Sequence, residues 1–150
     1  MLKITKKVEY ALISLKFISE EKSDGELTTA REVCSKFNTP FDTTSKVMQA
    51  MNNAGILHSE KGIKGGYALA KTLNEISYFD LVNAVDPKSN DQDFCQRNSG
   101  RCELYDTCNI VAPIDKLNIT LNKYLQNLTI FDLFHMAFGP AEKLGALHEH

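Results

Sequence analysis

Residues 56–70 hold the feature that most narrows the fold. Two short runs, Ile56-Leu57-His58-Ser59 and Tyr67-Ala68-Leu69-Ala70, flank Glu60-Lys61-Gly62-Ile63-Lys64-Gly65-Gly66. Glycine supplies the positive φ that tight hairpin connections need. The spacing therefore predicts an antiparallel pair of strands with a glycine-rich tip.

What precedes the hairpin has a helical period. Val8, Ala11, Leu12, Leu15 and Ile18 recur at spacings of three and four, predicting a helix over Thr5–Ser19 with Thr5 as N-cap. Glu20–Glu26 reads as a loop. Thr29-Ala30-Arg31-Glu32 matches the capping box, in which side chains satisfy orphan amides at a helix start. That short helix ends near Phe37-Asn38, and Pro40 opens the next, because proline tolerates a first helical turn. Thr44, Val47, Met48, Met51 and Ala54 then form a stripe that stops at Gly55. Helix, short helix, turn, helix and hairpin is the order of a winged helix-turn-helix. The fold class expected is mainly α with a small β-hairpin wing. Ile76–Val85 adds a further short helix.

In a helix-turn-helix the second helix enters the major groove and its first turns meet base edges. Here it offers Thr43, Ser45, Lys46 and Gln49. Gln suits adenine, Ser and Thr several base edges, and Lys guanine or a phosphate. Lys61 and Lys64 at the hairpin tip suit phosphate or minor-groove contact, and Lys6 and Lys7 add phosphate contacts. The same lysines also suit the solvated face of a protein-binding winged helix. Charge leans the same way as the first reading. Residues 1–71 carry eleven Lys/Arg against eight Asp/Glu, and residues 72–150 carry six against eleven, within a net charge of −2.

Three of the four cysteines, Cys95, Cys102 and Cys108, lie in the polar loop that follows, with the spacing C-x6-C-x5-C. Asp86–Thr107 holds only Phe94, Leu104 and Tyr105 as large apolar side chains, too little to offset the entropy of ordering it. Clustered thiolates there suggest a metal or metal–sulfur centre. Cys34, inside a helical pattern, reads as a small buried apolar residue. Met1–Lys7 lacks the apolar stretch of a secretory signal, and no apolar run reaches the ~18 residues of a membrane span. A cytoplasmic protein without a membrane partner is expected, and a disulfide framework is not.

Beyond Cys108, Ile110, Ile114, Leu117, Leu121, Tyr124 and Leu128 follow a 4-3-4-3-4 rhythm, the heptad seam of a long helix that needs a covering partner. Pro113 falls in its first turn. Thr129-Ile130-Phe131-Asp132 starts a closing helix running to about Phe138-Gly139-Pro140. Four regions follow: a winged helix-turn-helix over 1–85, a cysteine loop over 86–108, dimerisation and closing helices over 109–139, and a disordered tail over 140–150. His58 and His135 sit in apolar stretches without a nucleophile and orienting partner. The tip lacks the G-x-x-x-x-G-K-[ST] of a nucleotide loop, so no enzyme is expected.

Ile4-Thr5-Lys6 with Tyr10-Ala11-Leu12, the wing Gly55–Leu69, the cysteine triplet and Asn127–Leu133 together resemble the Rrf-type winged-helix transcription regulators. The resemblance covers roughly Met1–Phe134. It implies a homodimer whose long helices cross and whose two recognition helices read a pseudo-palindromic double-stranded DNA operator. It further implies an iron–sulfur cluster, 2Fe–2S or 4Fe–4S, held by Cys95, Cys102 and Cys108, through which a redox-, nitric-oxide- or iron-sensing repressor is switched. In the IscR-like pattern a histidine stands three residues after the last cysteine, where this chain has Val111. In the NsrR-like pattern a first-helix carboxylate of the partner subunit completes the set, and Glu9 falls at that position. Glu9 also suits the plainer role of a charge beside Lys6 and Lys7. Zinc on the same ligands, a metal-free thiol–disulfide switch, and a small iron–sulfur electron carrier are the alternatives.

Overall fold

A computed structural model describes residues 4–90 and 102–136. The first apolar stripe forms α1 (Lys6–Glu21), which buries Val8, Ala11, Leu15, Phe17 and Ile18. Thr5 is its N-cap by backbone, but its side chain makes no capping bond. The Thr5 hydroxyl donates instead to Asp86 Oδ2 at 2.8 Å, so a tertiary partner has displaced the expected local one.

The capping box at Thr29 is formed in full and opens α2 (Ala30–Phe37). Asn38 ends it in the left-handed region at φ 55°, a conformation asparagine tolerates better than most residues. Pro40 then precedes α3 (Phe41–Asn53), whose Thr44, Val47, Met48 and Met51 face inward. Ala54 caps α3 and is exposed, outside the stripe to which its spacing assigned it. Gly55 turns the chain at φ +74°. Cys34 is half-buried rather than fully buried, and its sulfur accepts a hydrogen bond from Thr39 Oγ1 at 3.6 Å.

The hairpin consists of β1 (Leu57–Glu60) and β2 (Gly66–Leu69), antiparallel with Leu57 opposite Leu69 and Glu60 opposite Gly66. Each strand is displaced by one residue towards the tip from its expected bounds. Gly66 permits this, because a Cβ there would stand 2.9 Å from the Thr28 carbonyl oxygen. Thr28 and Tyr67 exchange both backbone bonds at 2.8 Å, adding a one-residue third strand that the sequence pattern does not signal.

After a 3₁₀ turn at Leu73–Glu75, α4 (Tyr78–Val85) buries Tyr78, Leu81, Val82 and Val85 against the core shared with α1 and α3. A second 3₁₀ turn, Pro87–Asn90, leads into the cysteine loop. Beyond the loop come α5 (Val111–Asn127) and α6 (Ile130–His135), the latter capped by Thr129 accepting from the Asp132 amide. Leu128 and Ile76 bind this closing segment to α4 through Tyr78 N–Leu128 O and Ile130 N–Ile76 O, both 2.8 Å. The rest of the expected closing helix and the tail, residues 137–150, lie outside the described residues.

On α5 only Leu125 is buried. The expected seam divides: Ile114, Leu121 and Leu128 are half-buried, whereas Ile110, Leu117 and Tyr124, seven residues apart, are exposed. Among the described residues no helix is long and apolar enough to cross a membrane.

Candidate nucleic-acid interface and cysteine loop

Helix α3 is fixed from beneath. Thr44 is fully buried, and its hydroxyl donates to Thr39 Oγ1 at 2.9 Å, which in turn bonds Cys34. This relay joins α3 to the end of α2 through the turn, so the angle between the two helices does not rest on apolar packing alone. With Thr44 inward, Thr43 and Ser45 are half-buried on its flanks, and Lys46 and Gln49 are exposed.

Lys46 Nζ lies 3.1 Å from Asp42 Oδ2, one turn earlier. Both side chains are largely exposed, so the pair is weak and leaves Lys46 able to exchange its partner for a phosphate. Lys61 and Lys64 are exposed on the hairpin tip and have no ion-pair partner among the described residues. A cleft of about 520 Å³ separates α3 from the hairpin; Gln49, Asn52, Lys61, Gly62 and Thr29 line it. Gln49 and Lys61 are thus brought together, whereas Thr43, Ser45, Lys46 and Lys64 lie outside this cleft.

Lys6 projects from the start of α1 and bonds Glu9 Oε2 at 2.8 Å. The hydrogen bond to Glu9 and its charge raise the Lys6 ammonium above the ordinary lysine value. Lys7 lies 3.8 Å from Asp86 Oδ1.

Two residues go unmentioned in a motif-led reading. Arg31 is exposed, and its guanidinium carbon stands 5.3 Å from the centre of the Phe41 ring. Phe41 is the first residue of α3 and is itself about half exposed. The stack places an exposed guanidinium beside the opening residue of α3, a juxtaposition that no local motif flags. The other is Asp86, whose side chain is only 14% exposed and which joins α1 to the root of the cysteine loop.

Of the loop cysteines, Cys102 is exposed and Cys108 half-buried, both as free thiols. Cys95 lies outside the described residues. Tyr105 N donates to Cys102 O at 3.2 Å and Thr107 N to Leu104 O at 3.1 Å, so Cys102–Thr107 is folded into successive turns. Cys108 comes two residues before Ile110, the N-cap of α5. Glu9 is half-buried on the first turn of α1, with one carboxylate oxygen on Lys6. Among the described residues no group of three or more His, Cys, Asp and Glu is gathered to hold a metal ion.

His58 is exposed on β1, and His135 stacks on Phe131 with ring centres 4.1 Å apart, its Nδ1 lying 2.7 Å from the Phe131 carbonyl.

The chain resembles known proteins along nearly its whole length. A protein named aau3 from Rhizobium meliloti is 26% identical over 133 residues, covering 88% of this chain and 84% of its own. A protein of Aquifex aeolicus, described as a candidate HTH-type transcriptional regulator, is 24% identical over 131 residues, covering 86% and 89%. Among solved structures, CymR, the global cysteine regulator of B. subtilis, superposes with a TM-score of 0.61 at 20% identity, covering 89% of this chain and 96% of that one. T. potens IscR does so with a TM-score of 0.61 at 18% identity, covering 92% and 94%. At these identities the superpositions establish a shared fold, that of winged-helix regulators. A profile of the Rrf2 family, described as iron-dependent transcriptional regulator, matches residues 4–136. With the profile covering most of its length, the chain belongs to the Rrf2 family of transcriptional regulators.

Proposed function

We propose that the protein is a homodimeric DNA-binding regulator whose operator occupancy is set by an iron–sulfur cluster in the cysteine loop. The observation that carries this reading is sequential. The loop leaves α4 at Asp86, which is bonded to the start of the DNA-reading unit, and it enters α5 at Cys108, whose outer column Ile110, Leu117 and Tyr124 is exposed. A change in the loop therefore has a short route to both ends.

Cys95, Cys102 and Cys108 would hold the cluster, with Glu9 of the partner subunit as an oxygen ligand. The donor chemistry fits, since thiolates are the usual iron–sulfur ligands and a carboxylate is a weaker fourth. Cys102 is exposed and Glu9 is occupied only by a surface lysine, so both are available. A bound cluster supplies sensitivity to oxygen, nitric oxide or iron supply. The protein's own part is to present three thiolates on a polar loop and to couple that loop to α1 and α5. Switching follows if the ordered loop favours one arrangement of the two recognition helices over the other.

For DNA, α3 enters the major groove with Thr43, Ser45, Lys46 and Gln49. Lys61 and Lys64 reach the flanking backbone from the wing, and Lys6 adds a phosphate contact. The exposed α5 column meets its counterpart in a second copy, in keeping with a twofold dimer. The regions 1–85, 86–108 and 109–139 then act as reader, sensor loop and dimerisation unit.

Anaerobic purification with an absorption spectrum and metal analysis tests the cluster. Visible iron–sulfur bands with iron and sulfide are expected, and all should vanish in Cys102→Ala. A colourless protein with one zinc per chain overturns the cluster in favour of zinc, and a metal-free protein that forms a disulfide on oxidation overturns it in favour of a thiol switch. Glu9→Ala should speed cluster decay; an unchanged rate removes Glu9 as a ligand.

A further inference from the structure

Ile63 stands at the tip of the hairpin between Lys61 and Lys64 and is fully exposed. Single exposed apolar residues are ordinary on protein surfaces, so exposure alone carries little. Its frame is not ordinary. Gly62 sits at φ +124°, and the Gly65 amide donates to the Gly62 carbonyl at 3.0 Å, closing the turn. A Cβ on Gly65 would lie 2.5 Å from the Glu60 carbonyl oxygen and 2.9 Å from that of Gly62. The backbone is therefore drawn tightly together beneath Ile63. With all of its side chain exposed, Ile63 points away from the body.

The charges beside it are Lys61 and Lys64, with Glu60 at the end of β1 as the one acidic neighbour in sequence. Lys61 and Lys64 have no ion-pair partner among the described residues, whereas Lys6, Lys7 and Lys46 each face a carboxylate. The tip also continues into the cleft that Lys61 and Gly62 share with Gln49 and Asn52 of α3. A ligand lying along α3 thus runs past the tip.

We propose that Ile63 is a minor-groove wedge of the wing and a determinant of operator choice. This rests on the DNA-binding reading above and deepens it. With α3 in the major groove, the hairpin tip faces the neighbouring minor groove, about 6 Å wide, which admits a single projecting side chain but not a helix. Lys61 and Lys64 take phosphates on its rims. Ile63 offers no hydrogen bond, so it reads no base edge. It displaces groove water and presses between base pairs, which is easiest at pyrimidine–purine steps that unstack readily. The wing thereby selects deformable DNA while α3 selects sequence.

The test uses the full-length protein and an operator selected from random duplexes, with a flanking TA step under the wing or a stiffer step in its place. Ile63→Ala should weaken binding to the TA operator by roughly tenfold, with the salt dependence unchanged because no phosphate contact is lost. Lys61→Ala should instead flatten the salt slope by about 0.9. The wild type should discriminate between the two flanks and bend the TA duplex, read by end-to-end energy transfer, while Ile63→Ala should do neither. Equal affinity of Ile63→Ala and wild type, or flank discrimination that survives the substitution, overturns the wedge. If the wild type selects no duplex at all, the DNA-binding reading falls and the wedge with it.

Discussion

The Thr5 hydroxyl donates to the Asp86 carboxylate across eighty-one positions of the chain, at 2.8 Å. Asp86 ends α4, and its carbonyl accepts from both the amide and the hydroxyl of Ser89, which fixes the first turn of the cysteine loop. One residue thus anchors the entrance of α1 and the exit of α4. Thr5→Val, which keeps the shape and removes the donor, should lower unfolding stability by about 1.5–3 kcal/mol, as expected for a hydrogen bond to a charged group. Urea unfolding of the two proteins checks it, and an unchanged midpoint would mean the bond contributes nothing net.

Tyr78 is buried, its hydroxyl has no hydrogen-bond partner among the described residues, and burial raises its pKa above the ordinary tyrosine value. Tyr78→Phe removes a polar group that is desolvated without return. It should leave stability unchanged or raise it by up to about 1 kcal/mol. A loss of more than that in thermal or urea unfolding would reveal a partner for the hydroxyl.

Gly65 and Gly66 are held by backbone approach rather than by turn propensity alone. Gly66→Ala should split the Thr28–Tyr67 pairing, and Gly65→Ala should open the tip. Each should cost about 1–3 kcal/mol, the scale of overpacking a tight site. Amide exchange should report the damage locally, with protection lost at Thr28 and Tyr67 in the first case and at Gly65 in the second.

Exposed carboxylates at two turns contribute an acid sensitivity of known sign. The Thr72 amide, then its hydroxyl, donate to Glu75, and the Ser23 amide with Lys22 holds Glu26, so both carboxyls sit below the ordinary value of 4.5. A carboxyl lowered on folding stabilises the fold above that value and loses the contribution as pH falls through its folded pKa. The melting temperature should therefore drop on acidification below about pH 4.5. Glu75→Gln should have a shallower drop, and identical profiles would show that Glu75 takes no part.

The exposed column on α5 sets the oligomeric prediction. Leu117→Glu should turn a dimer into a monomer by light scattering while leaving the far-ultraviolet helix signal intact, because Leu117 is half exposed in the single chain. A dimer that survives would move the interface elsewhere.

Local signals were readable where one segment supplies its own partners. The Thr29–Glu32 box, the Thr129 cap and the inward stripe of α3 all follow from residues within one turn of each other. The sequence is silent where a distant residue decides. Thr5 looks like a cap and is claimed by Asp86. Thr28 looks like loop and is claimed by Tyr67. The α5 heptad reads as one seam, yet half of it is half-buried and half stays exposed, a division that no residue within the helix announces. For the candidate site, residue types were legible from spacing and from family resemblance. The Arg31–Phe41 stack was not, because helix–helix geometry alone brings two such ordinary residues together.

Leu125 is the only buried residue of α5, and it lies close to the end where α6 begins. At ~1.5 Å per residue the opposite end, at Val111, is about 21 Å away. Mechanically the helix is held most firmly near one tip. Its other end adjoins Cys108, so a cluster held there as proposed acts about 21 Å from the firmest hold, where a small force has the greatest turning moment.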